Sequence, residues 1–106
     1  MAEKELNCRS DLEKIIQQGV TLVDFNAPWC GPCRAQEPIL LALDECYHGR
    51  ATIATMNIDE NGDVAMHMGI QSIPTMVIFK DGREVNRLVG LQKAETLHQV
   101  LDQALA

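Results

Sequence analysis

Apolar positions in this chain follow two periods. Val20-Thr21-Leu22-Val23-Asp24-Phe25 is a short β-rich run, apolar on both faces apart from Thr21 and Asp24, as expected of a central strand covered on both sides. Thr52–Ile58 and Thr75–Phe79 read as further strands, the second entered through Pro74, and Glu3–Leu6 as a short first one. Helical spacing separates them. Ser10-Asp11 is expected to cap a short helix carrying Leu12, Ile15 and Ile16, with Gly19 as its stop. A longer helix is predicted from Cys33 to His48, with Ile39, Ala42, Leu43, Cys46 and Tyr47 on its apolar face, Pro38 as an internal kink and Gly49 as its end. Asp63–Met68 is a short helix, and Lys93–Leu105 is an amphipathic one with Ala94, Leu97, Leu101 and Leu105 on one face.

Lys80-Asp81-Gly82-Arg83 supplies hairpin chemistry, because Asp-Gly tolerates the positive φ of a tight turn, so Glu84–Val89 should return antiparallel to the strand before it. Strand-helix-strand order earlier in the chain implies a right-handed crossover and parallel pairing. The expected fold class is α/β, with a central mixed sheet of four strands, five with Glu3–Leu6, flanked by helices on both faces. With 106 residues and no repeat, low-complexity block or linker, the chain is expected to be a single domain, 1–106.

Composition is that of a soluble globular protein, 46% hydrophobic and 23% charged. Net charge is −6, with a pI near 4.9 and no Lys/Arg cluster, which argues against nucleic acid and anionic membranes as partners. The polar, acidic start lacks a basic segment followed by an apolar stretch, and no apolar run is long enough to span a bilayer. A cytoplasmic protein is expected. In a reducing compartment four cysteines read as catalytic or metal-binding groups rather than structural staples.

The chemistry centres on Trp29-Cys30-Gly31-Pro32-Cys33, set between a strand and a helix. A helix starting inside the motif gives Cys30 the exposed N-terminal position, where unpaired backbone N–H groups and the helix dipole favour thiolate, so Cys30 is the expected nucleophile. The dipole alone is too weak to bring a thiol to neutrality, and the neighbouring Cys33 thiol is the expected second contributor. Cys33, one turn into the helix and facing the core, stays protonated until it attacks as the resolving thiol. Pro32 presets the helix entrance and Gly31 admits a partner's backbone. An isolated Cys-X-X-Cys can also be half a zinc site or two core cysteines. Zinc would need further ligands, and Cys8, Cys46, His48, His67 and His98 offer no second such pair, so neither a metal nor a separate cofactor is expected.

The run Val23-Asp24-Phe25-Asn26-Ala27-Pro28-Trp29-Cys30-Gly31-Pro32-Cys33, with Pro38, Asn57-Ile58-Asp59, Gly69-Ile70, Ile73-Pro74-Thr75, Phe79-Lys80-Asp81-Gly82 and Gly90, resembles the thioredoxin family from about Gly19 to the C-terminus. The resemblance implies the thioredoxin fold and a protein-disulfide reductase: a monomeric electron carrier, re-reduced by a thioredoxin reductase-type donor, that acts on protein disulfides. Asp24 matches the family's buried acid. Strand alternation independently puts it on the face of Val20 and Leu22, an apolar setting that favours the neutral acid and suits it to take the proton of Cys33. Pro74 matches the family's cis-proline, which leaves the backbone at Ile73 free to pair with an extended substrate. Trp29, Gly31, Pro32, Gly69, Ile70, Ile73 and Gly90 would form the docking surface around the pair. An oxidase or isomerase would use the same fold, but Gly31-Pro32 is the dipeptide associated with reductants. A non-enzymatic binding subunit is disfavoured by the intact cysteines.

Four positions depart from the common family pattern. Asn26 stands where many relatives carry Trp, Pro28 where a polar residue is usual, Thr55 where a lysine near the buried acid is common, and Glu37 where the family is usually apolar. Loss of a cation at Thr55 should leave the Asp24 carboxylate less stabilised. Cys46 is expected as a small core residue, Cys8 as an exposed thiol, either regulatory or without a role, and Met56, Met66, Met68 and Met76 as gap-fillers that soften the docking surface.

Overall fold

A computed structural model describes residues 4–106, so Glu3, assigned by the sequence to the first strand, lies outside them. The elements in chain order are β1 (Lys4–Leu6), α1 (Arg9–Ile15), β2 (Val20–Asn26), α2 (Gly31–Cys46), β3 (Ala51–Asn57), α3 (Gly62–His67), β4 (Thr75–Lys80), β5 (Arg83–Val89) and α4 (Ala94–Leu105). They form a five-stranded sheet in the order β1-β3-β2-β4-β5. β1, β3 and β2 run parallel, while β4 pairs antiparallel with both β2 and β5. This is the mixed sheet expected from the connections.

Alternation along β2 divides the core. Val20 and Leu22 face one side with Ile53, Met76 and Ile78, where Leu40, Leu43 and Tyr47 after α2 and Leu97, Leu101 and Ala104 of α4 cover them. Val23 and Phe25 face the other with Ala54, Met56, Val77 and Phe79, covered by Leu12 of α1 and Val64 of α3. Thr21, polar in an apolar strand, is buried because its hydroxyl donates to the Ile15 carbonyl at 3.2 Å. Asp81 and Gly82 both adopt positive φ, 50° and 89°, the condition that a two-residue hairpin turn imposes and that Asp-Gly meets.

Several local expectations are corrected. The α1 N-cap is Cys8, with no side-chain cap bond, whereas Asp11 accepts from the Asn7 amide at 3.0 Å. On α2 the buried stripe is Cys33, Gln36, Leu40, Leu43 and then Tyr47, so Ala42 and Cys46 are exposed rather than core. A glutamine within that stripe displaced the apparent apolar face by a fraction of a turn. On α4, Ala104 is buried in place of Ala94, and Leu105 is half-covered.

Candidate active site

Register brings three distant segments to one end of the sheet. Thr75, at the start of β4, pairs with Phe25 near the end of β2 and with Val89 at the end of β5. The cysteine loop after β2, Pro74 before β4 and Gly90 after β5 therefore meet there. The Gly90 amide donates to the Pro74 carbonyl at 2.8 Å, and Gly90 holds a positive φ of 90°, which a side chain would strain. The Ile73–Pro74 peptide bond is cis, as the resemblance implies.

Cys30 and Cys33 are joined in a disulfide, their Cα atoms 5.2 Å apart. Cys30 is the N-cap of α2, with Pro32 in the first turn, and its sulfur accepts from the Cys33 amide at 3.2 Å. One of the unpaired helix N–H groups expected at this position, that of Cys33, thus points at the sulfur and stabilises a thiolate there beyond the dipole. Cys30 is not the exposed residue expected: it is 5% accessible and Cys33 6%. What separates them is direction. The Cys30 sulfur lies 3.8 Å from the Ile73 carbonyl oxygen, on the groove side, whereas Cys33 lines a cavity behind the helix N-terminus.

That cavity, of about 320 Å³, is also lined by Asp24, Glu5, Arg34 and Glu37. Asn26, Pro28, Thr55 and Glu37, the four departures from the family pattern, all line it. Asp24 is 1% exposed and accepts from the Asn26 side-chain amide at 3.1 Å. Pairing of β1 and β2 with β3 sets Glu5, Thr55 and Asp24 side by side across the sheet, a row the sequence could not reveal because the β1 register is non-local.

Trp29 is 65% exposed, and its indole N–H donates to Asp59 at 2.9 Å. Gly31 and Pro32 are exposed, Ile73 and Gly90 half-buried, and Pro74 buried. Trp29, Gly31 and Pro32 flank the cysteines along the chain, and Ile73, Pro74 and Gly90 reach the same end of the sheet, with Asp59 joined to them through Trp29. Among the described residues no cluster of three or more His, Cys, Asp or Glu side chains could hold a metal ion.

The thioredoxin family profile matches residues 4–103. The chain belongs to the thioredoxin family. It is 46% identical over 96 residues to a thioredoxin of Staphylococcus haemolyticus, covering 91% of this chain and 92% of that one. A thioredoxin of Staphylococcus aureus is 44% identical over the same shares of the two chains. Among solved structures, a mutant thioredoxin from Halobacterium salinarum NRC-1 superposes with a TM-score of 0.92 at 32% identity, over 99% of this chain and 92% of that one. Thioredoxin from Fasciola hepatica gives 0.88 at 33% identity, over 95% and 98%. The protein is thus a thiol–disulfide oxidoreductase of the thioredoxin type, a protein-disulfide reductase whose redox centre is the Cys30–Cys33 pair.

Proposed function

We propose that Cys30 is the attacking thiolate, Cys33 the resolving thiol and Asp24 the proton acceptor of this reductase. The observation that carries the assignment is the bond from the Cys33 amide to the Cys30 sulfur at the mouth of α2, which favours negative charge on Cys30 alone. In the reduced protein the Cys30 thiolate attacks one sulfur of a substrate disulfide. A mixed disulfide forms, and the other substrate sulfur leaves as a thiolate that takes a proton from water. Cys33 then loses its proton to Asp24, attacks the Cys30 sulfur and expels the second substrate thiolate, so two electrons have passed to the substrate and the pair is oxidised. Burial disfavours the Asp24 carboxylate, which makes it a stronger base, and the shared cavity offers room for a water between acid and thiol.

Trp29, Gly31, Pro32, Ile73, Pro74 and Gly90 form the groove that receives an extended segment of the substrate. A thioredoxin reductase-type donor returns the pair to the dithiol. The chain works as a single-domain, monomeric electron carrier in the cytoplasm, without a cofactor other than its own disulfide. Cys8 and Cys46, both exposed and free, suit a reducing compartment. The test is trapping: reduced Cys33→Ser mixed with insulin should accumulate a mixed disulfide through Cys30, and Cys30→Ser should not. Accumulation on Cys33 in Cys30→Ser at a comparable rate would reverse the roles.

A further inference from the structure

Gln36 has no part in the chemistry above, yet it is fully buried on the stripe of α2 that also carries Cys33. Its two polar atoms are both used, and on one residue. The Gln36 side-chain amide donates to the Gln92 carbonyl at 3.1 Å, and the Gln92 backbone amide donates back to the Gln36 oxygen at 2.7 Å. Gln92 then turns its own side chain onto the preceding backbone, donating to the carbonyls of Val89 and Gly90 at 3.1 and 3.2 Å. Gly90 in turn holds Pro74 through its amide. A continuous chain of hydrogen bonds thus runs from the helix bearing Cys33 to the cis-proline on the opposite side of the disulfide.

We propose that Gln36 and Gln92 are positioning residues: a reciprocal clasp that fixes the Val89–Gln92 turn against α2 and so sets the Gly90–Pro74 wall of the groove that receives protein disulfides. The reasoning is one of satisfaction. Two glutamine groups of the fully buried Gln36 side chain and two backbone groups of Gln92 are spent on one another. An apolar side chain of the same size at position 36 leaves the Gln92 amide and carbonyl unpaired, and they recover partners only if the turn moves outward to solvent. Such a shift displaces Gly90 from Pro74 and deforms the wall. The cysteines, held by the helix N-terminus and not by the turn, stay where they are.

This inference rests on the groove reading given above, and its test separates the two. Gln36→Met keeps the side-chain volume and removes both bonds; Gln92→Ala removes only the bonds to Val89 and Gly90, at a half-exposed site where folding is not at risk. Each is compared with Trp29→Ala for reduction of insulin and of a small aromatic disulfide, 5,5′-dithiobis(2-nitrobenzoate). Both clasp variants are expected to raise KM for insulin roughly fivefold with little change in kcat, which is ~1 kcal/mol at about 1.4 kcal/mol per tenfold, while the rate with the small disulfide holds. Equal losses on both substrates would overturn the proposal, because the clasp would then act on the pair or on stability alone. An unchanged insulin KM in both clasp variants, with KM raised in Trp29→Ala, would overturn the clasp and leave the groove. An unchanged insulin KM in all three would overturn the groove reading and the clasp with it.

Discussion

Replacing Thr55 by lysine probes the acid behind the disulfide. Thr55 stands between Glu5 and Asp24 in the row across β1, β3 and β2, and all three side chains line one cavity. Neighbouring strands lie about 4.8 Å apart, so a lysine at this position can bring its ammonium to roughly 6 Å from the Asp24 carboxylate. At an effective dielectric near 20, opposite charges at about 6 Å attract by roughly 3 kcal/mol, or about two pKa units. Solvent in the cavity and competition from Glu5, which is exposed and on the other flank, reduce this. The expected result is an Asp24 pKa about one unit below that of the parent protein, followed by carboxyl carbon NMR against pH in the dithiol form. Because a more acidic Asp24 is a weaker base, the pH profile of mixed-disulfide resolution should move down with it. Adding Glu5→Gln should enlarge the shift. An Asp24 pKa that stays or rises in Thr55→Lys would refute the electrostatic reasoning, and a lowered pKa with an unmoved resolution profile would remove Asp24 from the proton transfer.

Three other outcomes follow from the packing. Burial, and then the bond its hydroxyl donates to Asp102 at 2.7 Å, push the Tyr47 phenol up to about 12. The unfolded chain ionises first, so stability is fully present below pH 10 and declines as pH rises towards 12, by on the order of 2 kcal/mol, and a Tyr47→Phe variant should lack this component in urea titrations. Absence of any difference between the two slopes would contradict the buried phenol. Asp59→Ala frees the indole of Trp29, the chain's single tryptophan, so fluorescence anisotropy should fall while stability changes by no more than ~1 kcal/mol; an unaltered anisotropy would show that Asp59 does not order the ring. Leu97→Ala empties a fully buried position between α4 and the sheet and should cost about 2–5 kcal/mol of unfolding free energy, with insulin reduction preserved at temperatures where the variant is folded. A loss below ~1 kcal/mol would mean that α4 is not docked as described.

Local patterns carried most of the fold. β2, β4 and the Asp81-Gly82 turn follow from short-range chemistry, and the cysteine motif announces its reactivity through its place between strand and helix. What escaped is non-local. Cys46 reads as core because Gln36, whose partner lies 56 residues away, hides the true buried stripe of α2. Glu5 reads as surface, and only the pairing of β1 with β3 brings it to the cavity of Asp24. The cis bond before Pro74 has no local signature and came from the family resemblance alone. The cap at Cys8 was missed for the opposite reason: Ser10 and Asp11 have the right chemistry, but the chain turns into the helix before reaching them.

The meeting of the cysteine loop, Pro74 and Gly90 at one end of the sheet also bears on how activity is lost. These segments are adjacent only because β2, β4 and β5 are in register, and each contributes a part that no other segment supplies. The centre therefore has no independent foldon: a fragment ending before β4 keeps both cysteines but lacks the opposite wall, and one starting after α2 keeps the wall without the thiols. Catalytic competence on protein substrates should vanish in the same cooperative transition as the sheet. Insulin turnover then doubles as a global folding assay, reporting the assembled population of molecules rather than the integrity of a local loop.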